Sequence, residues 1–212
     1  MYKGFLKRFF DILVSVIGVI VLLPILLIVA LAIKIDSKGP VIFKQKRIGK
    51  GGKVYNIYKF RSMCVGAEKT GTGVYSGKGD ARVTGVGKFI RATSIDELPQ
   101  FLNIIKGDMS LIGPRPVLTY YPMNWEDYTE EQLKRFAVRP GVTGWAQVNG
   151  RKTNSVEKRF EYDNYYVDNL SFWLDFKIFF KTIKSVFTNE GNLDEVSTQT
   201  STETEVKTDA TV

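Results

Sequence analysis

The chain has 212 residues, of which 44% are hydrophobic, 13% aromatic and 25% charged, a composition typical of a folded or partly membrane-bound protein. It contains no histidine and one cysteine, Cys64, which excludes histidine-based triads, zinc sites, c-type haem and disulfide frameworks. The net charge is +8, and residues 1–190 alone carry 29 basic and 17 acidic side chains. The strongly basic charge of residues 1–190 favours a phosphate-rich partner: a nucleic acid, an anionic lipid or a phosphorylated small molecule.

The first predicted element is a membrane helix. The segment from Ile12 to Ile33 carries no charge and is almost entirely Ile, Leu and Val. As a helix it would be roughly 33 Å long, enough to cross the apolar core of a bilayer. A cleaved signal peptide fits less well, because the apolar stretch exceeds the usual length of the apolar region of a signal peptide. A buried core helix would need more surrounding protein than this chain offers.

The residues leave open whether this helix spans the membrane or returns to the same face. Basic residues flank it on both sides, so the positive-inside rule gives no orientation. Pro24 near its middle removes one helical hydrogen bond and favours a kink, which both a returning and a spanning helix tolerate.

Two β-prone runs follow, residues 41–43 and 54–60, and the turn between them at residues 50–53 predicts a hairpin. Residues 64–87 are rich in glycine and are expected to form a loop, but they complete neither a dinucleotide-binding nor a P-loop motif. Helical spacing from Phe89 to Ile105, ended by Gly107, predicts the next helix.

The C-terminal body is predicted to end with an amphipathic helix at residues 170–187, whose aromatic side chains recur every three or four residues. This pattern fits a helix in the membrane interface and also an ordinary core helix, and the membrane element upstream favours the interface. Residues 190–212 are acidic, rich in Ser and Thr and free of aromatic residues, which predicts a disordered tail.

Two adjacent acids, Asp96 and Glu97, stand at the start of the predicted helix. The S-x-x-E spacing from Ser94 to Glu97 fits a capping box, but that start would put Pro99 at the fifth helical position, where its missing N–H costs a hydrogen bond. A helix with Asp96 as its N-cap puts Pro99 in the first turn. On these grounds alone the acid pair has either a capping or a catalytic role.

Five long motifs follow one another along the chain: Tyr58-Lys-Phe-Arg-Ser-Met63, Arg91-x-x-Ser-Ile-Asp-Glu-Leu-Pro-Gln100, Lys106-Gly-Asp-Met-Ser-Leu-Ile-Gly-Pro-Arg-Pro116, Val138-Arg-Pro-Gly-Val-Thr-Gly-Trp-Ala-Gln-Val-Asn-Gly-Arg151 and Glu161-Tyr-Asp-x-Tyr-Tyr-Val167. Together they resemble the bacterial sugar transferase family, the small monotopic phosphoglycosyl transferases, from about Lys3 to about Lys184. The resemblance implies an α+β, mainly helical fold: a monotopic membrane protein with an N-terminal reentrant helix broken at Pro24, a small β-hairpin and interfacial amphipathic helices.

The resemblance also implies an activity, the transfer of a sugar-1-phosphate from a UDP-sugar to undecaprenyl phosphate with release of UMP and with Mg2+ as cofactor. Asp96 and Glu97 match the family's catalytic dyad, so both are candidate Mg2+ ligands and Asp96 is the expected nucleophile of a covalent aspartyl phosphosugar intermediate. Arginine pairs phosphate oxygens two at a time, which makes Arg91 and Arg115 candidates for a diphosphate clamp. Further candidates for nucleotide or phosphate contact are Lys59, Arg61, Arg139 and Arg151.

The predicted organisation is a membrane-embedded segment at residues 1–38, a catalytic domain at 39–189 and the tail at 190–212. By resemblance, the catalytic domain would lie on the cytoplasmic face of a bacterial inner membrane, in contact with its lipids, at the first membrane step of glycoconjugate synthesis. The alternative is a basic membrane-surface or nucleic-acid-binding module without enzymatic activity, although the sequence contains no zinc finger, RNP-type pattern or basic recognition helix. The sugar stays open among N-acetylated amino sugars, galactose and glucose, as does the oligomeric state.

Overall fold

The computed structural model describes residues 2–70, 79–150 and 155–187. The predicted tail at 190–212 lies outside these residues, as does Arg151. The described part is mainly helical with two small sheets, which confirms the α+β, mainly helical prediction at this level.

The N-terminal helix, α1, extends from Lys7 to Asp36 and follows a short π-helical turn at Tyr2–Leu6. Tyr2–Asp36 is the one helical stretch within the described residues that is long and apolar enough to cross a membrane. Only 11% of its most apolar window is buried in the protein, which argues against the core-helix alternative. Helix α1 continues past Pro24 without interruption, so the reentrant break stays a prediction.

Strands β1 (Ile42–Ile48) and β2 (Val54–Phe60) form the predicted antiparallel hairpin. The connecting turn, Lys50–Gly52, places Gly51 and Gly52 at φ values of 64° and 80°, a left-handed conformation that glycine adopts without steric cost. Strand β1 is longer than the predicted run at residues 41–43, and its free edge pairs with a short strand from later in the chain.

The remaining strands come from the second half of the chain. Strand β3 (Ser110–Ile112) pairs in parallel with β5 (Gly141–Thr143), while β4 (Val117–Leu118) pairs antiparallel with β1. The three-stranded sheet therefore has the order β2-β1-β4. The segment between β3 and β4, which contains Pro114 to Pro116, is consequently held between the two sheets.

Six helices follow the hairpin in the described residues: α2 (Gly85–Ala92), α3 (Gln100–Lys106), α4 (Glu130–Leu133), α5 (Trp145–Gly150), α6 (Val156–Asn169) and α7 (Phe172–Phe187). The prediction of one helix from Phe89 to Ile105 is wrong, because α2 and α3 are separate. Gly107 does end α3 as predicted, at φ 103°.

Helix α7 confirms the predicted amphipathic helix and shows which side faces the core. Ile178 is fully buried, whereas Trp173 is 74% exposed. The other large apolar residues exposed on this helix are Phe172, Phe176, Phe179, Phe180 and Ile183. The aromatic stripe thus points away from the protein core, which leaves it available to a membrane interface.

Both ends of α1 are attached to the rest of the protein. Near its start, the buried carboxylate of Asp11 accepts hydrogen bonds from the Ser110 hydroxyl at 2.7 Å and the Leu111 N–H at 3.0 Å. Toward its end, Val29 and Ile33 are buried in an apolar cluster with residues of β2 and α2. The helix is therefore attached to the domain both near its start and toward its end, and between these attachments Gly18 lies against the Phe101 ring of α3.

Candidate active site

The two predicted catalytic acids lie on a single 3₁₀ turn, Ile95–Glu97, between α2 and α3. Ser94 just before the turn has φ 57°, a left-handed conformation that redirects the chain and ends the helical run. Pro99, and not Asp96, is the N-cap of α3. The prediction of Asp96 as N-cap is therefore wrong: the fixed φ of Pro99 suits the helix start, and the turn directs Asp96 into the protein.

Asp96 is 8% exposed, and its carboxylate makes no hydrogen bond or ion pair with any other described residue. Burial raises the pKa of this carboxyl group, and the adjacent Glu97 raises it further. Lys59, Arg91 and Arg115 oppose both effects and favour the charged form. A desolvated carboxylate with cations around it suits a nucleophile or a metal ligand.

Glu97 is bound on the same turn by two cations from other elements. Its Oε1 atom lies 2.6 Å from Nζ of Lys59, in β2, and 3.6 Å from Nη2 of Arg115, between β3 and β4. The side chains of Glu97 and Lys59 are largely buried, while that of Arg115 is 54% exposed. Three predicted cations, counting Arg91, thus gather around the two carboxylates, and the excess of positive charge fits an anionic ligand.

Arg47 is a further cation near this group that the sequence did not reveal. Its Nη1 atom donates to the Pro116 carbonyl at 3.0 Å. Burial, and then the charge of Arg115, lower the pKa of the Arg47 guanidinium to about 10. Alternation along the hairpin puts Arg47 on the same face as Lys59. A strand prediction reaching past residues 41–43 would have identified it.

Two other predicted phosphate-binding residues, Arg61 and Arg139, bind backbone carbonyl groups elsewhere in the protein. Arg61 is buried and donates from Nη2 to the carbonyls of Ile33 (3.3 Å) and Ser37 (2.6 Å), which ties it to the C-terminal end of α1. Arg139 donates from Nε to the Gly107 carbonyl at 3.0 Å, at the end of α3. Arg151 cannot be assigned, since it lies outside the described residues.

The donor set of Asp96 and Glu97 fits the Mg2+ ion that the resemblance implies. Within the described residues there is no cluster of three or more metal-ligating side chains. Mg2+, however, is commonly bound through one or two carboxylates together with substrate phosphates and water. Asp96 is 8% exposed and lies beside the acid Glu97, so its charged form would gain from a bound cation.

The protein thus combines one helix that is long and apolar enough to cross a membrane with a small α+β domain, in which cations lie around two acids. Residues 2–189 match the family model for bacterial sugar transferases, and the chain belongs to that family. The family assignment made from the five motifs is thereby confirmed.

Named relatives agree with this assignment. The chain is 47% identical over 191 residues to a UDP-N-acetylgalactosamine-undecaprenyl-phosphate N-acetylgalactosaminephosphotransferase of Aeromonas hydrophila, covering 89% of the chain and 45% of that protein. It is 46% identical over 189 residues to a UDP-glucose:undecaprenyl-phosphate glucose-1-phosphate transferase of Klebsiella pneumoniae, covering 87% and 40%. An uncharacterized sugar transferase of Bacillus subtilis is 45% identical, covering 88% and 89%. The chain thus spans less than half of the first two relatives and most of the third.

Proposed function

We propose that this chain is a phosphoglycosyl transferase that moves a sugar-1-phosphate from a UDP-sugar to undecaprenyl phosphate and releases UMP. The observation that carries the proposal is the buried Asp96 carboxylate beside Glu97, with Lys59, Arg91 and Arg115 around the pair. The names of the relatives support both the nucleotide donor and the lipid acceptor. The sugar stays open, because these relatives differ in it.

In the first step, a carboxylate oxygen of Asp96 attacks the phosphorus that bears the sugar. The bond from that phosphorus to the bridging oxygen breaks, and UMP leaves with the bridging oxygen and its electron pair. The product is an aspartyl phosphosugar. Arg115 and Arg91 would stabilise the charge that develops on the diphosphate oxygens, where a planar guanidinium binds two oxygens at once.

In the second step, an oxygen of undecaprenyl phosphate attacks the same phosphorus, and the bond to Asp96 breaks. The lipid diphosphate sugar forms, and the carboxylate is regenerated. Glu97 would hold Lys59 and Arg115 in place and accept a proton from the acceptor phosphate. Mg2+, when bound by Asp96 and Glu97, would neutralise diphosphate charge.

We further propose that α1 is reentrant and that both of its ends lie on the cytoplasmic face of the inner membrane. Asp11, near the start of α1, is bonded to β3, and Ile33, near its end, packs in a cluster with Phe60 of β2. Strands β3 and β2 belong to the same small domain, which supports a position of both helix ends on one face. A straight spanning helix would carry its two ends to opposite faces, roughly 30 Å apart. The exposed aromatic stripe of α7 supports a second contact of the domain with the interface.

The acceptor lipid would enter along an open groove of about 480 Å³ between α1 and α2. Its lining is mostly apolar and includes Val29 and Ile90, whose cluster also packs against Ile95, directly before Asp96. Arg91 follows Ile90 at the end of α2. A hydrocarbon chain in this groove would therefore leave its phosphate near Arg91 and Asp96.

The proposed activity is tested by measuring UMP release from a panel of UDP-sugars, with the purified protein, Mg2+ and undecaprenyl phosphate. We expect turnover with one or a few sugars and none with the Asp96→Asn variant. The matched control is Lys134→Ala, which removes an exposed cation remote from the acids in sequence and should turn over normally. A protein that binds UDP-sugars or membranes but releases no UMP from any of them would instead be a binding module.

A further inference from the structure

The segment that carries Arg115 is held through its backbone. The Arg115 side chain is 54% exposed, so packing does little to fix the direction of its guanidinium group. The carbonyl of Pro114 accepts a hydrogen bond from the Gly141 N–H at 2.9 Å, and the carbonyl of Pro116 accepts one from Arg47 at 3.0 Å. The two proline rings also fix φ on either side of Arg115. The position of the Arg115 Cα atom, from which the side chain extends, therefore depends on these backbone contacts.

The carbonyl of Arg115 itself is held by a buried ion pair from a later part of the chain. Nη2 of Arg135, in the 3₁₀ turn Lys134–Ala137, donates to this carbonyl at 2.8 Å and lies 2.7 Å from Oδ2 of Asp163, in α6. The side chains of Arg135 and Asp163 are 6% and 2% exposed. One guanidinium nitrogen, with its two protons, thus links a buried carboxylate to the backbone of the candidate site.

Two aromatic rings fix the plane of this guanidinium group. Its carbon lies 4.9 Å from the ring centroid of Phe160 and 5.5 Å from that of Phe136, both within cation-π range. Burying two charges costs desolvation energy, and well-packed apolar residues often stabilise a fold equally well. What apolar residues cannot supply is a hydrogen bond of fixed direction to the Arg115 carbonyl.

We propose that Arg135 and Asp163 are positioning residues that set the location of Arg115 relative to Glu97 and the diphosphate. They act through the Arg115 carbonyl and do not contact the substrate. This inference rests on the proposed function, in which Arg115 stabilises charge on the diphosphate. If it is correct, loss of the ion pair matters to the reaction only while Arg115 is present.

A double-mutant cycle between Arg135→Lys and Arg115→Ala tests this dependence, because Lys keeps the charge beside Asp163 but loses the planar fork. We expect Arg135→Lys to slow UMP release about tenfold in the wild-type background. In the Arg115→Ala background we expect a loss of less than about twofold. The same cycle is measured on the affinity for UDP, which has the diphosphate and no sugar to transfer, so that it can be read where Arg115→Ala is too slow to assay.

The matched control is Lys134→Ala, which breaks an exposed ion pair to Asp168 that joins the same turn to the same helix at 2.7 Å. It should leave both readouts unchanged. Asp163→Asn is taken through the same cycle, so that a misfolded Arg135→Lys protein does not end the test. Equal fold losses in both backgrounds, or no loss in the wild-type background, would overturn the inference. A wild-type protein that releases no UMP would overturn the proposed function instead.

Discussion

At the scale of single residues, the contact between Arg115 and Glu97 makes the nature of the cation testable. A lysine at position 115 keeps the charge but can meet a diphosphate only as a point charge, without paired hydrogen bonds. We expect Arg115→Lys to lower UMP release by roughly tenfold to a hundredfold, with normal expression and membrane extraction. Lys134→Arg is the control for exchanging lysine and arginine at an exposed site, and it should not change turnover. Near-normal turnover of Arg115→Lys would exclude the fork as the source of stabilisation.

The residue types around the acids were predictable, but the partners of each arginine were not. The motifs named Lys59, Arg91 and Arg115 as candidates for phosphate or nucleotide contact, and all three favour the charged form of Asp96. Arg61 has the same chemistry and the same kind of motif, yet it binds the end of α1. An arginine that binds a backbone carbonyl and one that binds phosphate use the same donors, so their roles separate only once the distances between elements are known.

At the scale of elements, the buried pair between the turn Lys134–Ala137 and α6 gives the fold a pH dependence. Burial raises the pKa of Asp163 from 3.8 to about 6, although Arg135 and Arg159 favour its charged form. The folded protein therefore holds this proton more tightly than the unfolded chain does. The resulting stabilisation is full below the unfolded pKa and is lost as the pH rises through about 6.

Asp163→Asn cannot ionise and should lack this contribution. Relative to the variant, the wild-type protein should lose about 2 kcal/mol of unfolding free energy between about pH 4 and pH 7. Thermal unfolding in one detergent across this range measures the difference. Asp168→Asn, which removes an exposed acid from the same helix, is the control. Parallel profiles for the wild type and Asp163→Asn would show that the Asp163 carboxyl group does not titrate differently in the folded state.

Long periodic segments predicted their elements well, whereas short segments did not. The apolar run forms α1, which is apolar on nearly all sides, and the aromatic repeat forms α7, which is apolar along one stripe. Such patterns extend over many residues and therefore predict a helix well. The helix predicted over Phe89 to Ile105 is interrupted at Ser94, and the spacing of the apolar residues does not indicate the left-handed backbone there. The parallel pairing of β3 with β5 joins segments about 30 residues apart, which local sequence does not specify.

At the scale of the whole molecule, the two attachments of α1 to one domain lead to a prediction about topology. We expect both ends of α1 to face the cytoplasm. The native Cys64 is exposed and reports the face of the domain, and a Cys64→Ser background carries Lys3→Cys or Lys38→Cys as single labelling sites. All three cysteines should react with an impermeant reagent only when the cytoplasmic face is open to it. Labelling of Lys3→Cys and Lys38→Cys from opposite faces would show that the helix spans the membrane.

The proposed chemistry depends on Asp96 as the nucleophile, because no other group in the candidate site is given the role of attacking the phosphorus that bears the sugar. If Asp96 attacks first, the donor half-reaction needs no lipid, and the enzyme follows a ping-pong course. A sequential mechanism, in which the acceptor attacks directly, would leave Asp96 as a metal ligand. The two mechanisms differ in whether UMP is released and the sugar phosphate is bound to the protein before the acceptor is added.

The most direct measurement incubates the purified protein with Mg2+ and a UDP-sugar labelled in the sugar, without undecaprenyl phosphate, and then maps the label by peptide. We expect a burst of about one equivalent of UMP and an equal amount of label on the peptide that contains Asp96. Asp96→Asn should abolish both, while Glu97→Gln should slow the complete reaction. UMP that appears only after the lipid acceptor is added, with no label on the protein, would show that Asp96 is not the nucleophile.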